Sequence, residues 1–538
     1  MLIVKHFFVA DNLLAQIGTV YCIYMKKPLT PTQELMQKIS GTHWLDNKHV
    51  AGSGSRTAVI DPATALQCGE FANATNNEID LAVRNANRAQ REWWSMSALD
   101  RANALHSVAE RMLAMTATTG EVLTREMGKP FRESNWESGA SASAFRYYAE
   151  IARNDQGRIA GPAIAGQLHM VIKEPLGTIV SIVPFNFPVL LFGWQAAAAL
   201  AAGNAVVFKP SELTPAVGVW LADSFAQVAP SEDIFQVITG FGETGRYLCE
   251  SEINKLAFTG STKTAKLVAA TCAANMIPVI LECGGKDPVI IAEDANLKAA
   301  VENSLWSAMS NAGQTCIGAE RIYVDEKIAD RFIELFVSEA EKITAGAPGA
   351  GNYGPATMPE QLDVIAAHIA DALKRGGKAL LGGKKSVQPP YVQPVVLVDV
   401  PEDAIAMTEE TFGPVIIINR FHSIDHAIRL ANASKYGLGA SVWSKRQGKK
   451  IASQLHCGMV AINSTISFAA IPSVPFGGVK DSGSGRIHGP EGILEFTYPR
   501  TVVRARFQLP LAFTSFKRSY FSDKLIVRVI KILKGRLT

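Results

Sequence analysis

Cysteines are few in this sequence, and their spacing follows no pattern. Seven are scattered over 538 residues, and none belongs to a C-x-x-C pair. An odd, scattered set indicates neither a disulfide framework nor a zinc site, and it suits a reducing cytoplasm. Such an environment also keeps a nucleophilic thiol reduced. The seven are Cys22, Cys68, Cys249, Cys272, Cys283, Cys316 and Cys457.

Charge is also scarce, at 19% of residues against 48% that are hydrophobic. This composition is typical of a globular protein, and the length of 538 residues favours two or three domains. The net charge of +4 gives no indication of nucleic-acid binding. Residues 517–538 hold seven basic residues and one acidic residue, so this tail carries +6 and the rest of the chain −2.

Two long runs are poor in charge, and we interpret neither as a transmembrane helix. Charged and polar residues interrupt the apolar segment 1–24, and no small-residue cleavage site is evident. Met25 begins a sequence typical of a start, so we expect residues 1–24 to be an upstream extension. Residues 175–208 contain no charge, but Pro184 and Asn186 are among the residues that divide the run into strand, loop, helix and strand.

The order of apolar periodicities predicts an α/β protein. Residues 41–75 have the short alternations of strands and turns, and residues 77–152 have helical spacing. Residues 157–175 have the alternation of a β-hairpin. In 177–258 and again in 284–463, short β-branched runs alternate with helical segments. This alternation favours parallel sheets covered by helices on both faces.

Cys316 is the candidate nucleophile. It lies in NAGQTCI at 311–317, a small and polar segment without charge. A thiolate attacks a carbonyl carbon well and a thiol does not, so Cys316 needs a base or an electropositive pocket. A lone cysteine is more often a small buried apolar residue, and only the accompanying motifs favour catalysis here.

Glu282 and Asn186 are the partners that we expect for Cys316. Glu282 lies in LECGGK at 281–286 between apolar residues and glycines, where burial would raise its pKa and suit a general base. The alternative is a loop carboxylate in a salt bridge. Asn186 lies in PFNFP at 184–188 and is the candidate oxyanion donor.

Two strand ends have the pattern of a dinucleotide site. FKPSE at 208–212 places Lys209 and Glu212 where ribose hydroxyls bind in open α/β sheets, and a carboxylate there repels the 2′-phosphate of NADP. FTGST at 258–262 offers a phosphate the N-terminus of a helix. The plainer alternatives are a solvated ion pair for the first segment and a helix cap at Ser261 for the second.

Taken together, these segments resemble the aldehyde dehydrogenase superfamily over residues 44–504. Besides the five segments above, EETFGP at 409–414 and PFGG through SGSGR at 475–486 occur in the family's order. The resemblance implies an α/β fold with a Rossmann-type NAD-binding domain, an α/β catalytic domain and a β-hairpin oligomerisation arm. The implied boundaries are 25–152 and 176–284 for the NAD-binding domain, 285–495 for the catalytic domain, 153–175 and 496–507 for the arm, and 508–538 for the tail.

The resemblance also implies the roles of the site residues. Cys316 attacks the aldehyde, and the Asn186 side chain and the Cys316 N–H hold the oxyanion. Hydride transfer to the nicotinamide leaves a thioester, and Glu282 activates the water that releases the acid. No metal is required, NAD is favoured over NADP, and the enzyme is a homodimer or homotetramer. The residues implied to contact the cofactor are Phe185, Lys209, Glu212, Gly242, Gly260, Ser261, Glu410 and Phe412.

The substrate is less clearly implied. Residues 488–492 resemble a subgroup labelled succinate-semialdehyde dehydrogenases, but Trp194 and Ser310 stand where that subgroup has arginines for the distal carboxylate. A carboxylate without a cationic partner would lose hydration. Aromatic residues at the predicted tunnel favour a medium-chain or aromatic aldehyde. The alternative is that Lys480 or Arg486 replaces the missing arginines and binds the distal carboxylate. The tunnel residues are Trp194, Phe468 and Phe476.

The sequence departs from the family pattern at two positions. Phe185 replaces the usual Trp of its motif, and Cys283 replaces an aliphatic residue beside the base.

Two other functions are alternatives to aldehyde oxidation by hydrolysis. A CoA-acylating semialdehyde dehydrogenase is the first, but such relatives generally lack a base at the Glu282 position. A non-catalytic binding protein is the other. The basic amphipathic tail fits either an anionic membrane or a neighbouring subunit.

Overall fold

The structure is a computed structural model that describes residues 29–154, 157–161, 167–226, 233–506 and 516–535. The strands, in chain order, are β1 (Thr42–Leu45), β2 (Lys48–Ala51), β3 (Arg56–Ile60), β4 (Gln67–Ala72), β5 (Gly157–Ala160), β6 (Gln167–Pro175), β7 (Thr178–Ile182), β8 (Ala205–Lys209), β9 (Phe235–Val237), β10 (Lys255–Thr259), β11 (Val279–Glu282), β12 (Asp287–Ile291), β13 (Ala319–Asp325), β14 (Lys378–Leu381), β15 (Val387–Gln388), β16 (Tyr391–Val392), β17 (Val395–Val398), β18 (Val415–Phe421), β19 (Gly439–Trp443), β20 (Met459–Ile462), β21 (Gly483–Ser484) and β22 (Thr497–Ala505).

The helices, in chain order, are α1 (Pro31–Ile39), α2 (Asn76–Ser95), α3 (Ala98–Ala114), α4 (Thr116–Met127), α5 (Phe131–Asn154), α6 (Pro188–Ala201), α7 (Pro215–Leu221), α8 (Gly242–Glu250), α9 (Thr262–Ala274), α10 (Leu297–Met309), α11 (Ala329–Ala340), α12 (Pro359–Lys374), α13 (Ile405–Thr408), α14 (Ile424–Asn432), α15 (Gly448–Ala452), α16 (Gly489–Leu494) and α17 (Tyr520–Gly535).

The first large sheet has the strand order β2-β1-β9-β8-β7-β10-β11-β21. Its five central strands are parallel, and the strands at both edges are antiparallel. Strands β7 and β8 are buried along their whole length, as parallel strands between two helical layers must be. The chain runs outward from β7 through β8 to β9 and then returns to β10. A ligand crevice is expected at this reversal, beyond the carboxyl ends of the strands.

The second large sheet has the strand order β14-β17-β18-β13-β12-β19-β20. All its neighbouring strands are parallel except β14, which pairs antiparallel with β17. The predicted α/β class with two parallel sheets is therefore confirmed. The short strands β14 and β17 were not indicated by periodicity, because four-residue strands beside Gly and Pro give too short a pattern.

A three-stranded antiparallel sheet is formed by β22, β6 and β5. The predicted hairpin is confirmed by the pairing of Gly157 with Ile172, and β6 also pairs with β22 over nine residues. The division into domains and the role of this sheet in assembly stay predictions. The apolar pattern after Pro215 predicts a helix as far as residue 227, but α7 ends at Leu221 and a 3₁₀ turn follows at Ala222–Ser224.

The basic tail forms a helix, α17, over Tyr520–Gly535, as expected. Within α17, Ile526 is buried, whereas Phe521, Leu525 and Ile532 expose 40% or more of their surface. No helix in the described ranges is both long and apolar enough to cross a membrane. Contact with an anionic membrane and contact with a neighbouring subunit both stay predictions.

Candidate active site

Cys316 lies in the turn between α10 and β13 and is half-buried. The turn is made by left-handed backbone at Asn311, Ala312 and Gly313, with φ of 53°, 57° and 72°. A Cβ at Gly313 would lie 2.2 Å from the carbonyl carbon of Gly413, so only glycine fits this approach. This tight turn explains why the segment consists of small residues.

Asn186 follows β7 and precedes α6, and its side chain is buried beside this turn. Its Nδ2 donates to the backbone oxygen of Gln314 at 2.9 Å. An amide nitrogen carries two N–H groups, so a second one is available for an oxyanion. The structure therefore brings Asn186 to the loop that holds Cys316.

Glu282 ends β11 and is 2% exposed. Neither carboxylate oxygen has a well-formed hydrogen bond among the described residues. Burial raises the pKa of Glu282 well above its usual range, and Glu495 raises it further, whereas Arg486 and the N–H of Gly478 oppose the rise. The predicted rise in pKa is thus confirmed, and the salt-bridge alternative is not what the described residues show.

Negative groups act on the thiol of Cys316. Burial raises its pKa above the usual range, and the carboxylates of Glu410, Asp287 and Glu282 add to the rise. The N–H of Ile317 opposes it. Of the two surroundings that the sequence allows, the described residues place carboxylates near the thiol and not an electropositive pocket.

Lys209 and Glu212 lie at the carboxyl end of β8. The Lys209 side chain is buried, and its Nζ donates to the Pro210 carbonyl at 3.1 Å and lies 4.0 Å from Glu212 Oε2. Burial lowers the pKa of Lys209, and Glu212 raises it. Gly242 begins α8, and a Cβ there would meet no atom within 4 Å. Gly242 itself is therefore bordered by open space.

Gly260 and Ser261 precede α9, a helix of 13 residues. Ser261 Oγ accepts from the N–H of Thr264 at 3.2 Å, so the cap interpretation is confirmed. A phosphate contact at the same N-terminus is compatible with this cap, because the side chain occupies only one of the free N–H groups.

Glu410 and Phe412 lie in the loop before β18. Glu410 Oε1 accepts from the N–H of Gly285 at 3.2 Å, and burial, followed by Glu320, raises the pKa of Glu410 to about 8. Phe412 has a φ of 48°, and its ring meets that of Phe185 edge to face with centroids 6.2 Å apart. Three residues implied to contact the cofactor are thus held in two neighbouring loops.

A buried ion pair that the sequence analysis missed holds this loop. Lys286 donates to Glu320, and Glu320 accepts from the N–H groups of Thr411 and Phe412 at 2.9 and 3.1 Å. Lys286 also donates to Thr411 Oγ1 at 3.0 Å. The lysine ends the segment LECGGK, but its partner lies 34 residues away, and no local pattern reveals that contact.

The three residues of the predicted tunnel lie in one aromatic cluster. The ring centroid of Phe476 is 4.8 Å from that of Trp194 and 6.4 Å from that of Phe468. The ring centroid of His488, which was not among the predicted tunnel residues, lies 4.2 Å from that of Trp194. The cluster gives this part of the molecule an aromatic and apolar character.

The two alternative cations are already engaged by backbone carbonyls. Lys480 donates to Asn432 and Ser434, both at 3.0 Å. Arg486 donates to Gly478 at 2.9 Å and to Gly485 at 2.6 Å. That either cation replaces the missing arginines stays a prediction.

Comparison with known proteins identifies the family. The aldehyde dehydrogenase family matches residues 49–502. Succinate-semialdehyde dehydrogenase [NADP(+)] of Escherichia coli is 34% identical over 477 residues, which cover 86% of this chain and 97% of that protein. Retinaldehyde dehydrogenase 3 of Mus musculus is 34% identical over 484 residues, which cover 88% and 94%. Betaine aldehyde dehydrogenase from Staphylococcus aureus, solved in complex with NAD+, superposes with a TM-score of 0.85 at 28% identity, covering 90% of this chain and 99% of that chain. The chain belongs to the aldehyde dehydrogenase family.

Proposed function

We propose that this protein oxidises an aldehyde to the carboxylic acid with NAD, through covalent intermediates on Cys316. The observation that supports this most directly is the buried Glu282. Its carboxylate lacks a well-formed partner among the described residues and is near enough to raise the pKa of the Cys316 thiol. A buried carboxylate with a raised pKa beside a thiol is an arrangement suited to proton transfer at neutral pH.

Each residue has one task in the reaction. The Cys316 thiol gives its proton to solvent and its sulfur bonds to the carbonyl carbon, while the carbonyl electron pair moves to oxygen. The Asn186 amide and the Cys316 N–H stabilise that oxyanion. NAD, when bound, supplies the acceptor for the hydride. Glu282 then takes a proton from water as the water oxygen bonds to the thioester carbon and the C–S bond breaks.

The described residues fit the cofactor. The buried Lys209 ammonium has one carbonyl partner in the described chain, and ribose hydroxyls are suitable further partners. Glu212, with 41% of its side chain exposed, lies at the same strand end and would accept from a ribose hydroxyl. Gly242 borders open space, and Gly260 and Ser261 precede a helix N-terminus that offers free N–H groups to a phosphate.

Glu212→Gln should change the choice of cofactor. The carboxylate repels a 2′-phosphate, so we expect the variant to raise kcat/KM for NADP by about tenfold and to lower that for NAD severalfold. Steady-state kinetics with both cofactors at low ionic strength provide the measurement. Glu243→Gln, an exposed neighbour on α8, is the control. An unchanged ratio of NAD to NADP use in the Glu212 variant would contradict the assignment.

The substrate that we propose is a medium-chain or aromatic aldehyde. Trp194 packs against Phe476 and His488 at the position where the subgroup acting on succinate semialdehyde has a cation. The relatives do not decide the matter, because proteins of equal identity are named for succinate semialdehyde and for retinaldehyde. The aromatic cluster favours an apolar chain over a carboxylate.

An aldehyde panel tests both the activity and the substrate class. We expect kcat/KM for hexanal or benzaldehyde to exceed that for succinate semialdehyde by at least about tenfold, because the distal carboxylate would lose hydration without a cation. Trp194→Arg should lower the ratio of kcat/KM for hexanal to kcat/KM for succinate semialdehyde.

NAD reduction measured with and without CoA distinguishes hydrolysis from acyl transfer, and a rate that depends on CoA would contradict the role of Glu282. A preference for succinate semialdehyde would refute the substrate class alone.

A further inference from the structure

A buried ion pair lies against the backbone of Asn186. The side chains of Lys129 and Glu137 are 1% and 0% exposed, and the ammonium donates to Glu137 Oε1. Lys129 Nζ also donates to the Asn186 carbonyl at 2.7 Å and lies 4.3 Å from the ring centroid of Phe187. Charges so fully removed from water need specific hydrogen bonds to offset their lost hydration. The Asn186 carbonyl supplies one of them.

Glu137 holds the same loop on its other side. Its Oε2 accepts from the N–H groups of Val189 and Leu190, both at 3.1 Å. These are free N–H groups in the first turn of α6, where the helix dipole favours a negative charge. Lys129 therefore holds the backbone before Pro188, and Glu137 holds the backbone after Pro188.

The network extends to the loop of the nucleophile. Asn311 Nδ2 donates to the Asn186 carbonyl at 3.1 Å and to the Gln314 carbonyl at 3.2 Å. Glu133, one helical turn before Glu137 on α5, accepts from the N–H of Asn311 at 3.1 Å. Side chains at the start of α5 thus hold the loops of both Asn186 and Cys316.

We propose that Lys129 and Glu137 are positioning residues that fix the Asn186 amide toward the oxyanion formed beside Cys316. This inference rests on the proposed function, because it requires Asn186 to be the oxyanion donor. Neither residue needs to touch substrate or cofactor. Their removal therefore lowers the rate of the chemical step and leaves cofactor binding and the intrinsic reactivity of the thiol in place.

Two variants remove the pair in different ways. Lys129→Met removes the ammonium and keeps an apolar stem, and Glu137→Gln removes the charge with little change in shape. In both we expect kcat for the best aldehyde of the panel to fall by about 10- to 100-fold, because small displacements of an oxyanion donor have that effect. KM for NAD should change by less than about threefold. Lys129→Arg, which keeps the charge, should recover part of the rate.

Alkylation of Cys316 by iodoacetamide separates positioning from general loss of structure. Displacement at that reagent creates no oxyanion, so we expect the rate, followed on the Cys316 peptide by mass spectrometry, to stay within about twofold of the wild type. Glu126→Gln is the matched control, because Glu126 is a buried carboxylate that accepts from the N–H groups of Ala216 and Val217 at the start of α7. This control should keep the wild-type kcat.

Combining Lys129→Met with Asn186→Ala gives the decisive comparison. If Lys129 acts through Asn186, kcat of the double variant should stay within about threefold of that of Asn186→Ala alone. Losses that multiply would overturn the inference, as would a fall in alkylation rate as large as the fall in kcat. If Lys129→Met does not fold, Glu137→Gln with Asn186→Ala serves the same comparison.

Asn186→Ala separates a failure of the proposed function from a failure of the positioning inference. Wild-type turnover by Asn186→Ala would reject the oxyanion role in the proposed function. A slow Asn186→Ala together with wild-type turnover by both Lys129→Met and Glu137→Gln would reject only the positioning inference.

Discussion

Cys316→Ser is expected to abolish aldehyde oxidation, with a fall in kcat/KM of at least about 10⁴-fold. The sulfur is the atom that bonds to the aldehyde carbon, and a serine hydroxyl in the same place ionises far less readily than a thiol. The carboxylates of Glu410, Asp287 and Glu282 already raise the pKa of the Cys316 thiol. The same carboxylates would make a serine alkoxide still less accessible. NADH formation at saturating aldehyde and NAD is the measurement.

A second cysteine provides the control for this substitution. Cys68 is half-buried on β4, and its Sγ lies 3.5 Å from the Val59 carbonyl. Burial raises the pKa of Cys68 to about 12, so the Cys68 thiol is protonated, as the Cys316 thiol is. Cys68 does not have the neighbours of Cys316. Cys68→Ser should retain wild-type kcat. If Cys316→Ser also retained turnover of every aldehyde tested, the whole catalytic assignment would be wrong.

The fold class and the family were accessible from the sequence because both depend on local signals. Alternating strand and helix periods indicate parallel sheets, and each motif places its chemistry within about six residues of a strand end or helix start. Gly313 illustrates why such segments are informative, since its φ of 72° and the nearby Gly413 carbonyl leave no room for another residue. The roles of the site residues stay predictions that the kinetic variants test.

The supporting contacts were not accessible from the sequence because they join distant segments. Lys129 bonds to Asn186, 57 residues away, and Asn311 bonds to Asn186 across 125 residues. Lys129 and Glu137 look like ordinary helix-start charges until folding buries both. The same limit explains His488, whose contact with Trp194 depends on how α6 and the loop before α16 meet.

Glu282→Gln should stop the reaction at the thioester. The glutamine keeps the shape of the side chain but accepts no proton from water, so we expect steady-state kcat to fall by about 10²- to 10⁴-fold. Acyl-enzyme should then accumulate, visible as an acylated Cys316 peptide by mass spectrometry, with one NADH formed per site. Glu126→Gln is again the control, because burial also raises the pKa of Glu126, to about 8. Rapid continuous turnover by Glu282→Gln would show that another group activates the water.

The pH dependence of Glu282→Gln tests the electrostatic explanation independently of the acyl-enzyme. Because burial raises the folded-state pKa of Glu282, the wild type should gain activity as pH rises through the neutral and alkaline range, and the variant should lose this limb.

The effect of pH on the stability of the fold has the opposite sign. A group whose pKa is higher in the folded state destabilises the fold progressively as pH rises above its unfolded value of about 4.3. The Tm of Glu282→Gln should therefore exceed that of the wild type at pH 9, and the difference should shrink toward pH 5. A difference in Tm that does not depend on pH would mean that the carboxylate is not desolvated, and the raised pKa could not then account for its action as a base.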